Sequence, residues 1–412
     1  MIYKITKTLI LFFIYIGLSH AQVKITSYNL LGYPGTDTAT RHPYYRTVIS
    51  SINPDILVVQ EMTSQAAVNG FLNGVMNYYG NFYSPGIFID GPDTDNGIYY
   101  KTSLFIFLSN TPIHTALRDI NEFKIVHITT HDTLRIYSVH LKASTGTANE
   151  LARAAEVDSL RKVTNTLPPN SYFIVCGDFN FYSANEPAYQ KLLQITAGND
   201  GNFNDPLNMP GNWQDNPAYS AYHTQSTRVR AFGGGATGGL DDRFDMMLYS
   251  NGIKNPGGIT YVTNSLTPYG NDGNHLNDSI NQPPNTAVSQ TIANALHYSS
   301  DHLPVYELFT FTSSVSINLL NSIEPPIFKL YPNYPNPANP TTNIKFDIPK
   351  NSLIKIKIFD ILGKEIATLV NENLNAGSYS VNWSASNFPS GVYFYRLEAE
   401  SFIDTKRMVI VK

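Results

Sequence analysis

The 412-residue chain has a single cysteine, Cys176, so no intramolecular disulfide can brace it, and its stability must come from core packing and bound ions. Beyond residue 21 it has no apolar run approaching the roughly 20 residues that a membrane-spanning helix needs. Charge is scarce, at 15% of residues, and what there is leans acidic: residues 22–311 hold 16 Lys and Arg against 24 Asp and Glu, a net of −8. That balance excludes a broad basic footprint of the kind that grips nucleic acid regardless of sequence. With a single Cys there is no Cys pair from which to build a zinc-ligand motif. The glycine-rich stretch "RAFGGGATGGLDDRFD" (230–245) lacks the Lys-Ser/Thr of a nucleotide-binding loop and reads as a flexible connection.

What is present is 27 Tyr, 27 Gly and 25 Pro among 42% hydrophobic residues, the mark of a chain rich in strands and loops. Lys4 and Lys7, the apolar "TLILFFIYIGL" and the small Ser19 and Ala21 make residues 1–21 a signal peptide, with Gln22 opening the mature chain. Residues 22–311 alternate strand-like runs ("VKITSYNLL", "DILVVQEM", "TLRIYSVHLKA", "SYFIVCGDF", "RFDMMLYS", "LPVYELFTF") with helical patterns such as "TANELARAAEVDSLRKVTNTL" and "EPAYQKLLQI". Residues 199–240 and 264–297 are dominated by Asn, Gly, Asp, Pro and Thr and are expected to be long loops. Residues 312–328 read as a linker, and 329–412 as a second, small domain of short strands separated by turns such as "NAG" and "PSG". That domain has neither His nor Cys, so the chemistry must lie upstream.

Five blocks end or interrupt apolar strands with polar groups: Asn29 in "TSYNLLG", Glu61 in "VVQEM", His140 in "YSVHLKA", Asp178 and Asn180 in "CGDFN", and Asp301-His302 in "SDHLPV". A carboxylate at the end of an apolar strand is costly unless a cation or hydrogen bonds offset its burial. Oxygen ligands in small number suit Mg²⁺ or Mn²⁺, which keep several waters, and two histidines offer proton transfer near neutral pH. The inventory fits hydrolysis of a phosphate ester.

In this order the blocks resemble the endonuclease/exonuclease/phosphatase superfamily, which includes DNase I, the base-excision endonucleases, neutral sphingomyelinases and inositol polyphosphate 5-phosphatases. Its "GDxN" is matched by Asp178 and Asn180, its "QE" by Gln60-Glu61, its "SDHxP" by residues 300–304, and its strand-borne Asp by Asp245 in "DRFDMML". The resemblance implies an α/β catalytic domain, a four-layer DNase I-like sandwich. It makes Glu61 a metal ligand, with Asn29 and Asp301 sharing the cation or its waters. It makes His302, oriented by Asp245, a group that acts on the attacking water or the phosphate, with Asp178 and Asn180 positioning the nucleophile and phosphoryl oxygens. His140 becomes the proton donor to the leaving oxygen or a stabiliser of transition-state charge; the base-excision endonucleases have Tyr there. The "PxWCDR" segment of the 5-phosphatases is absent, which demotes that substrate class.

The tail has its own resemblance. "YPNPANPTTNIKFDIP", "KIFDILGKEIATLV", "AGSYSVNW", "SGVYFYRL" and "KRMVIVK" are similar to the C-terminal sorting domain of the type IX secretion system, which implies an all-β immunoglobulin-like sandwich and export across the outer membrane to the medium or cell surface. The expected function is that of a secreted Mg²⁺- or Mn²⁺-dependent phosphodiesterase, first a DNase I-like nuclease acting on extracellular nucleic acid. The alternatives are a sphingomyelinase or phospholipase C-like enzyme, a sugar-phosphate phosphatase, and a non-catalytic surface binding protein. Asn29, Arg228 and Arg243 are the candidate substrate contacts, with Arg228 able to clamp a phosphate from the loop "HTQSTR". The chain is expected to act as a monomer whose partners are its substrate and the type IX machinery. "DGPDTDNG" (90–97) and "NDGNHLND" (271–278) allow structural Ca²⁺ but lack the full spacing of a calcium loop.

Overall fold

The computed structural model describes residues 22–255, 258–312, 317–385 and 388–411, so the segment read as a signal peptide lies outside the described residues. In the first domain the strands are β1 (Gln22–Tyr33), β2 (Ile56–Met62), β3 (Tyr83–Pro85), β4 (Asp95–Lys101), β5 (Phe105–Ile113), β6 (Ile120–His127), β7 (Thr133–His140), β8 (Phe173–Asp178), β9 (Phe203–Asn204), β10 (Asp245–Ser250), β11 (Ile259–Tyr261), β12 (Thr267–Pro268) and β13 (Val305–Phe311). The α-helices are α1 (Thr38–Ile52), α2 (Gln65–Phe71), α3 (Thr147–Thr164), α4 (Pro187–Leu193), α5 (Asn251–Lys254) and α6 (Gln290–Ser299).

Two mainly antiparallel sheets result. One runs β11-β13-β1-β2-β4-β3, with β12 on β13, and the other runs β5-β6-β7-β8-β10-β9. Period-two alternation gives each strand two apolar faces. Ile25, Ile56, Val58 and Phe309 of the first sheet meet Ile136, Ile174, Cys176 and Met247 of the second in a shared inner core. The outer face of the first sheet, through Tyr28, Leu57 and Val59, packs against α1, α2 and α6. That of the second, through Val139, Val175 and Leu248, packs against α3 and α4. This is the four-layer α/β sandwich.

Local chemistry sets the helix limits. α1 stops at Asn53, which takes a left-handed conformation (φ 49°) and gives its N–H to Ile49 O at 2.8 Å ahead of Pro54. α3 has Glu150 in its first turn and Arg161 and Lys162 in its last, matching the helix dipole. α6 corrects the expectation of an unbroken loop over 264–297. Its Ser289 accepts a hydrogen bond from Ile292 N, and Ala293 and Leu296 supply a buried face that the polar composition of the stretch hides. The 199–240 segment likewise contains β9 and a short 3₁₀ turn at Pro217–Tyr222.

Downstream come β14 (Ile317–Asn321), β15 (Lys329–Leu330), β16 (Thr341–Ile348), β17 (Ser352–Phe359), β18 (Glu365–Leu374), β19 (Gly377–Ser384), β20 (Gly391–Ala399) and β21 (Phe402–Ile410). They form two four-stranded sheets, β14-β19-β16-β15 and β18-β17-β20-β21, around a core that includes Phe346, Ile356, Trp383 and Leu397. β14 falls within the stretch read as linker and pairs antiparallel with β19. Among the described residues no helix is long and apolar enough to cross a membrane.

Candidate active site

Two parallel strand pairs aim their C-terminal ends at one place. β1 lies parallel to β2 with Asn29 opposite Gln60, and β7 lies parallel to β8 with His140 opposite Asp178. β10 runs antiparallel to β8 and sets Asp245 across from Asp178. The β1–β2 register shifts between Asn29 and Tyr33, and Leu31 (φ 49°) and Glu61 (φ 64°) adopt left-handed backbone there, an irregularity that re-aims side chains at the strand ends. A cleft of about 400 Å³ opens at this point, with Glu61, His140, Asp178, Asn180, Asp301 and His302 among its walls.

Asn29, fully buried, donates from Nδ2 to Glu61 Oε1 (2.9 Å) and Asp178 Oδ2 (3.2 Å), tying the two sheets together. Glu61 Oε2 accepts Gly32 N at 2.7 Å. Asp178 Oδ2 lies 3.6 Å from Nε2 of both His140 and His302. His302 Nδ1 donates to Asp245 Oδ2 at 2.7 Å, and Asp245 N is held by Thr224 Oγ1 at 3.0 Å. Asn180 (φ 52°) gives its backbone N–H to Asp178 Oδ1 at 3.1 Å and its side-chain amide to Leu141 O at 3.2 Å. Asp301 Oδ2 accepts Ala236 N at 2.6 Å, so a residue of the glycine-rich connection is anchored at the cleft wall.

Burial pushes the Asp178 carboxyl up to about 7; Asp245 and Glu61 add to the rise, while His302 and the Asn180 N–H oppose it. Burial alone would lower His302, but the carboxylates of Asp245, Asp178 and Asp301 outweigh it and hold the imidazole well above its ordinary value. His140 goes the other way: burial, then Arg118 and His302, push it well below the ordinary value. The surroundings therefore favour the charged form of His302 and the neutral form of His140. This sharpens the reading of His140, which suits hydrogen bonding to developing charge better than carrying a proton to the leaving group.

Three candidate substrate contacts need correction: none lines the cleft, and Asn29 is fully buried with its amide bonded to Glu61 and Asp178. Arg228 is fully buried, donates to Phe232 O and does not line the cleft. Arg243 is also buried, bonds Asp205 through two 2.9 Å contacts and lies 4.8 Å over the Trp213 ring. Arg243 is spent on internal contacts, whereas Arg228 is enclosed with its Nε and Nη2 lacking a hydrogen-bond partner. Two neighbours of the site escaped sequence reading. The Gln225 side-chain amide lies 2.6 Å from His302 Nε2, and its oxygen must face the ring when that nitrogen carries a proton; Asp242, with its Oδ1 unpartnered, is pushed up to about 8 by burial, with Asp241 and Asp178 adding. The acidic run "LDDRFD" was the only signal for Asp242, and nothing in the loop around Gln225 marked that residue.

Among the described residues no group of three or more His, Cys, Asp or Glu side chains converges as a ready cation cage. The donors available, the Glu61 and Asp301 carboxylates and the Asn29 amide, are hard and few. That set fits an ion such as Mg²⁺, which keeps most of its waters, and does not fit zinc.

Residues 26–302 match the Endonuclease/Exonuclease/phosphatase family, and residues 332–412 match the Secretion system C-terminal sorting domain. The chain belongs to the endonuclease/exonuclease/phosphatase family, as a metal-dependent phosphoric ester hydrolase, and carries a type IX sorting domain. Similar solved structures include Danio rerio TDP2 complexed with single-strand DNA product, with 17% identity, 70% of this chain and 99% of that chain covered, and a TM-score of 0.48. The human Nocturnin catalytic domain with bound sulfate shows 18% identity, coverage of 71% and 95%, and a TM-score of 0.43. A mannosyl-6-phosphatase of Bacteroides thetaiotaomicron shows 14% identity, coverage of 70% and 100%, and a TM-score of 0.44. Comparison with the curated proteins returns no match.

Proposed function

We propose that the protein is an exported, Mg²⁺-dependent phosphoesterase whose reaction is in-line displacement by water at the cleft. The observation that carries this reading is the His302–Asp245 pair at 2.7 Å, set against Asp178 beneath the same opening as Glu61. Glu61, with Asn29 and Asp301, would hold the cation, which when bound supplies charge neutralisation on the phosphoryl oxygens. Asp178 orients the attacking water and takes its proton, and the Asn180 amide steers the phosphoryl group. His302, held positive by Asp245, faces the transferred phosphate. His140, neutral, gives a hydrogen bond to the leaving oxygen. The N-terminal signal peptide supplies the first export step and the sorting domain the second.

Turnover of a phosphate ester by the purified chain with Mg²⁺, its loss in EDTA, and its loss in Asp178→Ala are the expected results. An unimpaired Asp178→Ala would defeat the assignment. Nucleic acid, favoured by the sequence, loses support from Arg228 and Arg243, both of which lie inside the fold.

A further inference from the structure

We infer that the cleft takes a small organic ester, one phosphate on a neutral group with a flat or apolar face, rather than a polyanionic nucleic acid strand. The inference rests on the phosphoesterase reading and narrows it.

Charge is the first argument. The walls bring together three carboxylates, Glu61, Asp178 and Asp301, and two histidines, His140 and His302. A single divalent cation held there can offset one phosphate. A nucleic acid strand carries a charge about every 3.4 Å of rise, so the phosphates flanking the scissile one would need cations of their own. Of the basic residues close in sequence to the site, Arg230 is exposed outside the cleft lining, and most of the others are engaged. Lys142 Nζ donates to Ala143 O at 2.9 Å, and Arg118 bonds Asp93 at 2.9 Å and His140 O at 3.2 Å. Arg153, fully buried, bonds Glu186 at 2.8 Å, Arg243 is paired with Asp205, and Arg228 is enclosed away from the cleft. Among the described residues no Lys or Arg lines the cleft.

The second argument is the opposite wall. Tyr182 and Phe244 both face the cleft, with ring centroids 5.0 Å apart and planes at 82°. Beside them stand Ser144 and Gln225, able to hydrogen-bond a hydroxyl. An aromatic face with a few polar groups is a surface for a sugar ring or a short apolar chain. The wall is built in advance of any ligand. Arg153 Nη1 donates to Lys142 O (2.8 Å) and Ser144 O (2.9 Å), and its partner Glu186 accepts Tyr182 N at 2.8 Å. At about 400 Å³ the space admits a phosphate and one ring.

The test uses the full chain with Mg²⁺ and compares kcat/KM for a hexose phosphate and an aryl phosphate with that for single-strand DNA, duplex DNA, RNA and sphingomyelin vesicles. The monoesters should lead by about tenfold or more and respond weakly to salt, whereas binding of a polyanion through cations weakens steeply between about 50 and 200 mM. Tyr182→Ala should raise KM for the hexose phosphate about tenfold, in the range of lost hydrophobic recognition, and leave competitive inhibition by inorganic phosphate unchanged. Tyr182→Phe, which keeps the ring, should retain the wild-type KM. Equal or faster turnover of DNA, RNA or sphingomyelin would overturn the inference while leaving the phosphoesterase reading standing, as would an unchanged KM in Tyr182→Ala. No turnover of any ester would instead overturn the phosphoesterase reading itself.

Discussion

His140 and His302 each lie 3.6 Å from the same oxygen of Asp178, yet burial lowers His140 while the carboxylates around His302 raise it. His302 has Asp245 at 2.7 Å; His140 has Arg118 nearby and a buried Nδ1 without a partner. Asp245→Asn should therefore remove the group that orients and charges His302 and lower kcat by about 10²- to 10⁴-fold, the usual worth of a positioned acid–base group, with melting temperature close to wild type. Gly177 belongs to the same machinery. At φ 137° its backbone passes so close to β7 that a Cβ would lie 2.0 Å from Val139 O. Gly177→Ala should cost about 3 kcal/mol or more by forcing the two parallel strands apart, measurable by denaturant unfolding. Asp178, Asn180 and His302 were legible in the sequence because a polar group ending an apolar strand is a costly choice that asks for a reason. Arg228 and Arg243 misled because a basic residue's place in sequence carries no record of which way it faces.

At the scale of elements, the turns beyond β7 and β8 are stitched together by one buried ion pair. Arg153 on α3 holds the carbonyls of Lys142 and Ser144, and Glu186 ahead of α4 holds Tyr182 N. Replacing both, as Arg153→Met with Glu186→Met, removes the pair without leaving a lone buried charge and should keep the melting temperature near wild type. If the pair positions the cleft wall, amide exchange over 141–146 should still rise and kcat/KM fall about tenfold; retained protection would show the pair to be dispensable. Glu307 on β13 is a second buried acid, fully enclosed with both carboxylate oxygens unpartnered, and burial raises it well above its ordinary value of 4.5. The folded state then holds its proton more tightly than the unfolded state, so stability present below pH 4.5 is lost as pH rises through the folded value. Glu307→Gln should melt higher than wild type, by a margin that widens with pH; a margin constant with pH would contradict this. The strands were the readable elements, since period-two runs of Ile, Val and Tyr leave little ambiguity. α6 was not, because its buried face is made of Ala293, Ala295, Leu296 and Ser299 spaced among Asn, Gln and Thr.

The whole molecule separates chemistry from address. Every residue assigned to the cleft lies between 29 and 302, and the match to the sorting domain covers 332–412. The tail was readable as a β-domain through its turns and alternating strands, whereas β14 was hidden in a stretch whose Ser and Asn content reads as linker. The central claim, that one phosphate is displaced at Asp178 and His302 with a divalent cation's help, meets its most direct test in steady-state release of inorganic phosphate from an organic phosphate ester. Release by the full chain should require Mg²⁺, stop in EDTA, return when Mg²⁺ is restored, and fall about 10²-fold or more in Asp178→Ala. Release that persists undiminished in EDTA or in the folded Asp178→Ala variant would contradict it.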